Sequence, residues 1–237
     1  MKKGVNAMKD KVVVVTGGAR GIGRSAVNML VAEGAKAVAL ARSEETLAEL
    51  KKDVPEAGTY VCDVSVEQQV NETMESILVE YGRIDVLVNN AGVGIWKTVE
   101  EMTEEDWDAQ INTNLKGVFL TSKAVFSKMK AQGGGHIINV ASDLGYTSIE
   151  RGGAYCASKW GLLGFTGTLL KEGAPFGITV STVSPGLVAT DFGGVEAEKK
   201  QESGLTPETV ASHIIQTIKT GEETGSVDVI VKPKPRR

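Results

Sequence analysis

Lys11-Val12-Val13-Val14-Val15-Thr16-Gly17-Gly18-Ala19-Arg20-Gly21-Ile22-Gly23 is the stretch on which the reading of this chain turns. Four consecutive valines are too apolar for a strand with one face in water. They describe a strand buried on both faces, as in a parallel sheet covered by helices on either side. Separated glycines follow, and then the helix-like run Ser25-Ala26-Val27-Asn28-Met29-Leu30. Such a turn places free backbone N–H groups and the positive end of a helix dipole at one point, where a phosphate fits. Glycines let a pyrophosphate approach the backbone that a side chain would keep away. The spacing is Gly17-x-x-x-Gly21-x-Gly23, and a glycine-rich turn of this kind by itself also serves merely to join a strand to a helix.

Working outward, apolar strands and helical stretches alternate. Strands are expected at Lys36–Ala41, Thr59–Cys62, Ile84–Val88, His136–Val140, Ile178–Val183 and Val227–Val231. Helices are expected at Glu44–Lys52 behind a Ser43 cap and from a Ser65-Val66-Glu67-Gln68 capping box to about Tyr81. Others run from Thr103 past Asn114 to Lys130, from Ala154 to Leu170, and from Thr206-Pro207 to about Lys219. Connections are short and no linker interrupts them. The pattern is one α/β domain over residues 1–237, a doubly wound, seven-stranded parallel sheet of the Rossmann kind. Residues 1–8 read as a flexible extension and 232–237 as a frayed basic tail.

Composition narrows the function. A net charge of −4 favours neither nucleic acid nor an anionic membrane, and no apolar run approaches membrane-spanning length. Cys62 and Cys156 are the only cysteines, and with His136 and His213 they form no metal-ligand spacing. No metal is expected, and a reducing cytoplasm suits the two thiols.

Ligands of open α/β sheets bind at the carboxyl ends of the strands. In this chain those positions are Gly17 to Gly23, Arg42, Asp63-Val64, Asn89 to Gly92, Ser142 and Pro185 to Thr190. Tyr155 and Lys159, four residues apart, share one helix face, and a nearby cation favours a phenolate.

Together these residues resemble the short-chain dehydrogenase/reductase family, with motifs in family order from Val12 to about Asp191. Thr16 to Gly23 is similar to its cofactor loop and Asn89-Asn90-Ala91-Gly92 to the segment after its fourth strand. Asn139-Val140-Ala141-Ser142 matches the strand end bearing a catalytic serine, and Pro185-Gly186-Leu187-Val188-Ala189-Thr190 matches the loop over the nicotinamide. The resemblance implies hydride transfer between nicotinamide C4 and a carbonyl or alcohol carbon of a small molecule. Tyr155 is then the acid/base, Lys159 lowers the phenol pKa and holds the ribose, and Ser142 places the substrate oxygen. Asn114 holds a relay water, with Asn112 its rival. The implied cofactor contacts are Gly17, Arg20, Gly21, Ile22, Gly23, Arg42, Asp63, Val64, Asn90, Ala91, Gly92, Tyr155, Lys159, Pro185, Gly186, Val188 and Thr190. Asp63 is read either as an adenine contact or as a strand-end cap. Trp96 is read as substrate wall or packing, and Cys156 as a helix contact.

Where NAD-using relatives carry an acid at the end of the second strand, this chain has Ala41 followed by Arg42, with Arg20 in the glycine loop. That replacement implies NADP(H). The helices Val118–Lys130 and Ala154–Leu170 resemble the family's dimerisation pair, so a homodimer or homotetramer is expected. The ending Lys232-Pro233 departs from the usual Asp-Gly-Gly and resembles a shorter-tailed branch. Narrower alternatives are a 3-oxoacyl-thioester reductase and, from another class, a dinucleotide-sensing protein without turnover.

Overall fold

The computed structural model describes residues 8–194 and 196–234. Its strands are β1 (Val12–Thr16), β2 (Lys36–Ala41), β3 (Gly58–Val61), β4 (Val86–Asn89), β5 (Gly135–Val140), β6 (Ile178–Pro185) and β7 (Asp228–Val231). Its α-helices are α1 (Gly21–Ala32), α2 (Glu44–Asp53), α3 (Glu67–Tyr81), α4 (Glu104–Ile111), α5 (Gly117–Ala131), α6 (Gly153–Gly173) and α7 (Pro207–Thr224). The sheet has seven strands, all parallel, in the order β3-β2-β1-β4-β5-β6-β7. The order reverses between β1 and β4, which opens a crevice at their carboxyl ends.

Every residue of β1 is buried. Val13 and Val15 pack with Val27 and Leu30 of α1, Leu47 and Leu50 of α2, and Ile214 and Ile218 of α7. Val12 and Val14 face the other way, toward Val70, Met74 and Ile77 of α3, Val125 and Met129 of α5, and Leu169 of α6. Alternate valines thus anchor the helical layers on opposite faces, which is why the run is continuous rather than alternating.

Behind the site the sheet carries a buried polar network. Asn89 Nδ2 donates to Asn139 Oδ1 at 2.9 Å and to Ser122 Oγ at 3.2 Å. Thr121 donates to Asn89 Oδ1 at 2.7 Å, and Asn139 Nδ2 donates to Thr166 at 2.8 Å. The four side-chain groups of these asparagines tie β4 and β5 to α5 and α6, and their mutual satisfaction avoids the cost of orphaned buried amides.

Some boundaries differ from the sequence expectations. Met8 is fully buried in the β1-side core, so the extension ends before it; residues 1–7, like 235–237 of the basic tail, lie outside the described residues. The capping box expected at Ser65–Gln68 is absent, because Asp63 Oδ1 engages both Ser65 N and Ser65 Oγ and α3 begins at Glu67. A capping box forms instead between Thr103 and Asp106 at the start of α4. The helix expected to run straight through Asn114 is interrupted by a π-turn over Asn112–Lys116. No helix among the described residues is long and apolar enough to cross a membrane.

His136 is buried under Gly221 of α7, where a Cβ would come within 2.3 Å of the imidazole. Its Nε2 pairs with the Ser181 hydroxyl at 2.9 Å. Burial, reinforced by Lys11, lowers its pKa from 6.5 to about 4. The unfolded chain therefore takes up this proton first. Stability is complete above pH 6.5 and falls as the pH drops toward 4, by roughly 3 kcal/mol for a shift of this size. Urea unfolding of His136→Gln should show a flatter decline across that window than the parent; parallel curves would contradict the assignment.

Candidate active site

The crevice between β1 and β4 is built by one hydroxyl and one amide. Thr16 Oγ1, at the end of β1, accepts from both Asn90 N and Ala91 N at 3.0 Å. Asn90 Nδ2 returns two bonds, to Thr16 O at 2.9 Å and Gly17 O at 3.3 Å. The glycine loop is thereby locked to the segment after β4. A Cβ on Gly23 would stand 2.2 Å from Gly17 O, and Gly17 itself has φ +64°, so the tight return from strand to helix depends on both glycines.

α1 opens at Gly21 behind Arg20, whose side chain makes no cap, whereas Ser43, Thr103 and Thr206 cap α2, α4 and α7. The first N–H groups of α1, those of Ile22 and Gly23 among them, are left without a side-chain acceptor. This cradle, narrow and uncapped at the positive end of a helix, fits a dinucleotide pyrophosphate. Thr190, from the loop after β6, reaches Gly21, its Cγ2 lying 3.2 Å from a Cβ placed there. Gly186 N donates to Val231 O and Val188 bridges to Leu205, which fix the two ends of that loop.

At the other end of the cradle Arg20 and Arg42 are exposed and Ala41 closes β2. Asp63 Oδ1 accepts from Ser65 N and Ser65 Oγ at the end of β3, and the Asp63 N–H donates to Gln69 Oε1. Val64 is buried against Gly117 of α5, one Cγ standing 2.9 Å from a Cβ placed there.

Ser142, Tyr155 and Lys159 gather where β5 ends. Lys159 donates to Val140 O at 2.9 Å, which holds the first turns of α6 against the strand end. Tyr155 has only 8% of its surface exposed. The Trp96 ring lies 5.1 Å from the Tyr155 ring and the Phe192 ring 5.7 Å from it. Phe192 reaches this position because Gly94 has no side chain; a Cβ there would stand 2.7 Å from the Phe192 ring. Trp96 thus packs directly on the Tyr155 ring. Cys156 is buried, its Sγ 3.2 Å from a Cβ placed on Gly152, and serves as a helix contact.

The electrostatics differ from the sequence expectation in one respect. Burial pushes the Tyr155 phenol up from 10 to about 12; a Ser142 hydrogen bond opposes the shift and the Asp143 charge adds to it. Burial likewise lowers Lys159 to about 8. The ammonium stands 5.7 Å from the tyrosine ring and spends a donor on Val140 O, so the low-dielectric surroundings outweigh its attraction for a phenolate.

Asn114 is completely buried in the π-turn. Its Nδ2 donates to Val93 O at 2.9 Å and Ser158 Oγ at 3.1 Å, and its Oδ1 accepts from Val93 N at 2.8 Å. The side chain therefore braces the segment after β4 against α6, leaving one lone pair on Oδ1 for a water. π-turns inside helices recur at functional sites because they redirect one residue without ending the helix.

Sequence reasoning gave no role to Asp143 or Phe192, and it held Thr16 and Asn89 only as members of their motifs, without the bonds they make. A hydroxyl at the end of an otherwise apolar strand was the available signal for Thr16. A wide surface groove bordered by Tyr60, Glu72, Glu75 and Val79 lies along α3 and contains none of the site residues.

The chain is similar to known proteins in sequence and in fold. The short chain dehydrogenase family matches residues 11–201. The 3-oxoacyl-[acyl-carrier-protein] reductase of Thermotoga maritima is 38% identical over 221 residues, covering 88% of this chain and 90% of that protein. An alcohol dehydrogenase from the archaeon Thermococcus sibiricus, solved with 5-hydroxy-NADP, has TM-score 0.87 at 30% identity and covers 97% of this chain and all of that one. A metagenomic short-chain oxidoreductase in complex with NADP has TM-score 0.84 at 32% identity, with 97% and 99% covered. The fold, the glycine cradle and these matches agree: the chain belongs to the short-chain dehydrogenase family and is an oxidoreductase of that family.

Proposed function

We propose that this chain is an NADP(H)-dependent oxidoreductase acting on a small-molecule carbonyl or secondary alcohol, with Tyr155 as the proton-transfer group. The observation that carries this reading is the convergence of Ser142, Tyr155 and Lys159 at the end of β5, beside the uncapped N-terminus of α1. The nicotinamide, when bound, supplies the hydride. In reduction the carbonyl carbon gains that hydride while Tyr155 gives its proton to the carbonyl oxygen; oxidation of the alcohol reverses both transfers. Ser142 donates to the same oxygen, so negative charge developing there meets two hydroxyl donors. Lys159 holds the nicotinamide ribose and restores the Tyr155 proton. Trp96 and Phe192 exclude water from the phenol. The presence of both Tyr155 and Lys159 favours turnover over a sensing role.

A phenol raised to about 12 is protonated at neutral pH, which suits it as the acid in reduction. For alcohol oxidation the phenolate is needed, so kcat/KM in that direction should climb with pH into the alkaline range. Tyr155→Phe should lower kcat by about 10²–10⁴-fold with cofactor affinity nearly intact; a variant keeping a tenth of parental kcat would remove Tyr155 from this role. Lys159→Met should lower both rate and cofactor affinity.

The preference for NADP(H) rests on Arg20 and Arg42, both exposed at the adenosine end, and on the lack of a carboxylate at Ala41. A charge-assisted hydrogen bond from a guanidinium to a 2′-phosphate contributes about 1.5–3 kcal/mol, or roughly 10–100-fold in affinity. The kcat/KM ratio for NADPH over NADH should have that size and should invert in the Ala41→Asp, Arg42→Ala double variant. Equal use of the two cofactors by the parent would defeat this reading.

The outer faces of α5 and α6 support a homo-oligomer. Phe119 of α5 is 43% exposed and meets Phe165 of α6 edge-on at 6.1 Å, an apolar pair that a second copy would cover. Phe119→Glu should shift the mass measured by light scattering toward the monomer; an unchanged mass would exclude this face. The cytoplasm is the compartment that fits two buried, unbridged thiols.

A further inference from the structure

The residue after Ser142 is a carboxylate. Asp143 opens a short 3₁₀ turn, Asp143–Gly145, and is half-buried. Its Oδ1 lies 3.4 Å from Ser142 Oγ, and its Oδ2 lies 3.2 Å from a Cβ placed on Gly186. The group thus stands between the serine hydroxyl that faces the substrate oxygen and the loop that follows β6. Its charge is felt at the Tyr155 hydroxyl, where it disfavours the phenolate.

Of the charges nearby, Lys232 and Lys234 flank Pro233, whose Cδ lies 3.2 Å from the same Cβ placed on Gly186, and both are exposed without an ion pair to Asp143; the others are engaged elsewhere. Lys159 donates to Val140 O, and Lys200 donates to Thr190 O and Phe192 O at 2.7 and 2.6 Å. Arg151 pairs with Glu101 at 3.3 Å, and Asp191 accepts from Ala197 N at 2.9 Å. Among the described residues no cation pairs with Asp143. Around the same phenol stand the rings of Trp96 and Phe192, 5.1 and 5.7 Å from it. A carboxylate without an ion-pair partner, acting on the same phenol that two aromatic rings flank, is a surrounding that attracts an organic cation and repels an anion.

Resting on the reading of this site as that of a carbonyl reductase, we propose that Asp143, together with Trp96 and Phe192, selects a carbonyl substrate bearing a cationic nitrogen. The substrate class is an amino ketone, with the corresponding amino alcohol on the other side of the reaction. The cationic nitrogen takes no part in the bond changes; it is held by charge while the carbonyl carbon gains the hydride and its oxygen the Tyr155 proton.

The test uses three methyl ketones of equal chain length, ending in a trimethylammonium group, its neutral tert-butyl isostere and a carboxylate. Their kcat/KM values with NADPH are compared in the parent, Asp143→Asn and Asp143→Glu, each checked for a parental thermal midpoint. The parent should favour the cation over the isostere by about 10-fold or more, from one charge-assisted contact. That ratio should fall as salt is raised and approach one in Asp143→Asn, and Asp143→Glu should retain part of it. A parental ratio near one, or a ratio unchanged in Asp143→Asn, would overturn the proposal. If none of the ketones is reduced, the reductase reading fails separately. Calorimetric Kd values for the same compounds then decide whether Asp143 selects the cation.

Discussion

The lock between Thr16 and Asn90 is the constraint on which the site depends. β1 and β4 are neighbours in the sheet and far apart in sequence, and nothing local dictates how their carboxyl ends should be spaced. One threonine hydroxyl accepting two backbone N–H groups, and one amide answering with two bonds to the glycine loop, set that spacing. The close approach of Gly23 to Gly17 O then follows, and with it the direction in which α1 presents its free N–H groups. The Thr16 hydroxyl and the Asn90 amide are both spent on this lock, so the loop holds its shape while the first N–H groups of α1 stay free.

A second set of buried amides holds the Tyr155 side of the crevice. Asn114 braces the segment after β4 to α6 through Val93 and Ser158, while Asn89 and Asn139 link the two central strands to the helices behind them. Each amide has partners for its donors, so burial stabilises a single arrangement instead of leaving several of similar energy. The π-turn is the local cost of aiming Asn114 inward within an otherwise continuous helical stretch. Through this bracing the positions of Tyr155 and Lys159 on α6 become coupled to the crevice between β1 and β4.

Burial decides the ionisation of Tyr155 and Lys159 ahead of their neighbours. Tyr155 and Lys159 both shift toward their neutral forms because both have left water. A phenol in that condition keeps its proton at neutral pH, and an ammonium in that condition can release one at lower cost. Those two shifts are what the proposed role of Tyr155 as an acid draws on.

Much of this was legible from residue order alone. Four valines before a glycine turn require a strand buried on both faces, and Val12 to Val15 occupy that position because no half-wet strand tolerates them. Tyr155 and Lys159 had to share a helix face, since four residues make about one turn. The glycine cradle was legible too, because a positive φ at Gly17 and the approach of Gly23 to Gly17 O admit no side chain. Tertiary structure decided the rest. The capping value of Ser65 was lost to Asp63, and the helix through Asn114 was bent by partners that lie on other elements. Whether Lys159 or burial governs the Tyr155 phenol depends on distance and dielectric, which the spacing of residues along a helix does not contain. Asp143 gains its setting in the same way: only the folding of the loop after β6 and the arrival of Phe192 against Gly94 place a carboxylate and aromatic rings around one phenol.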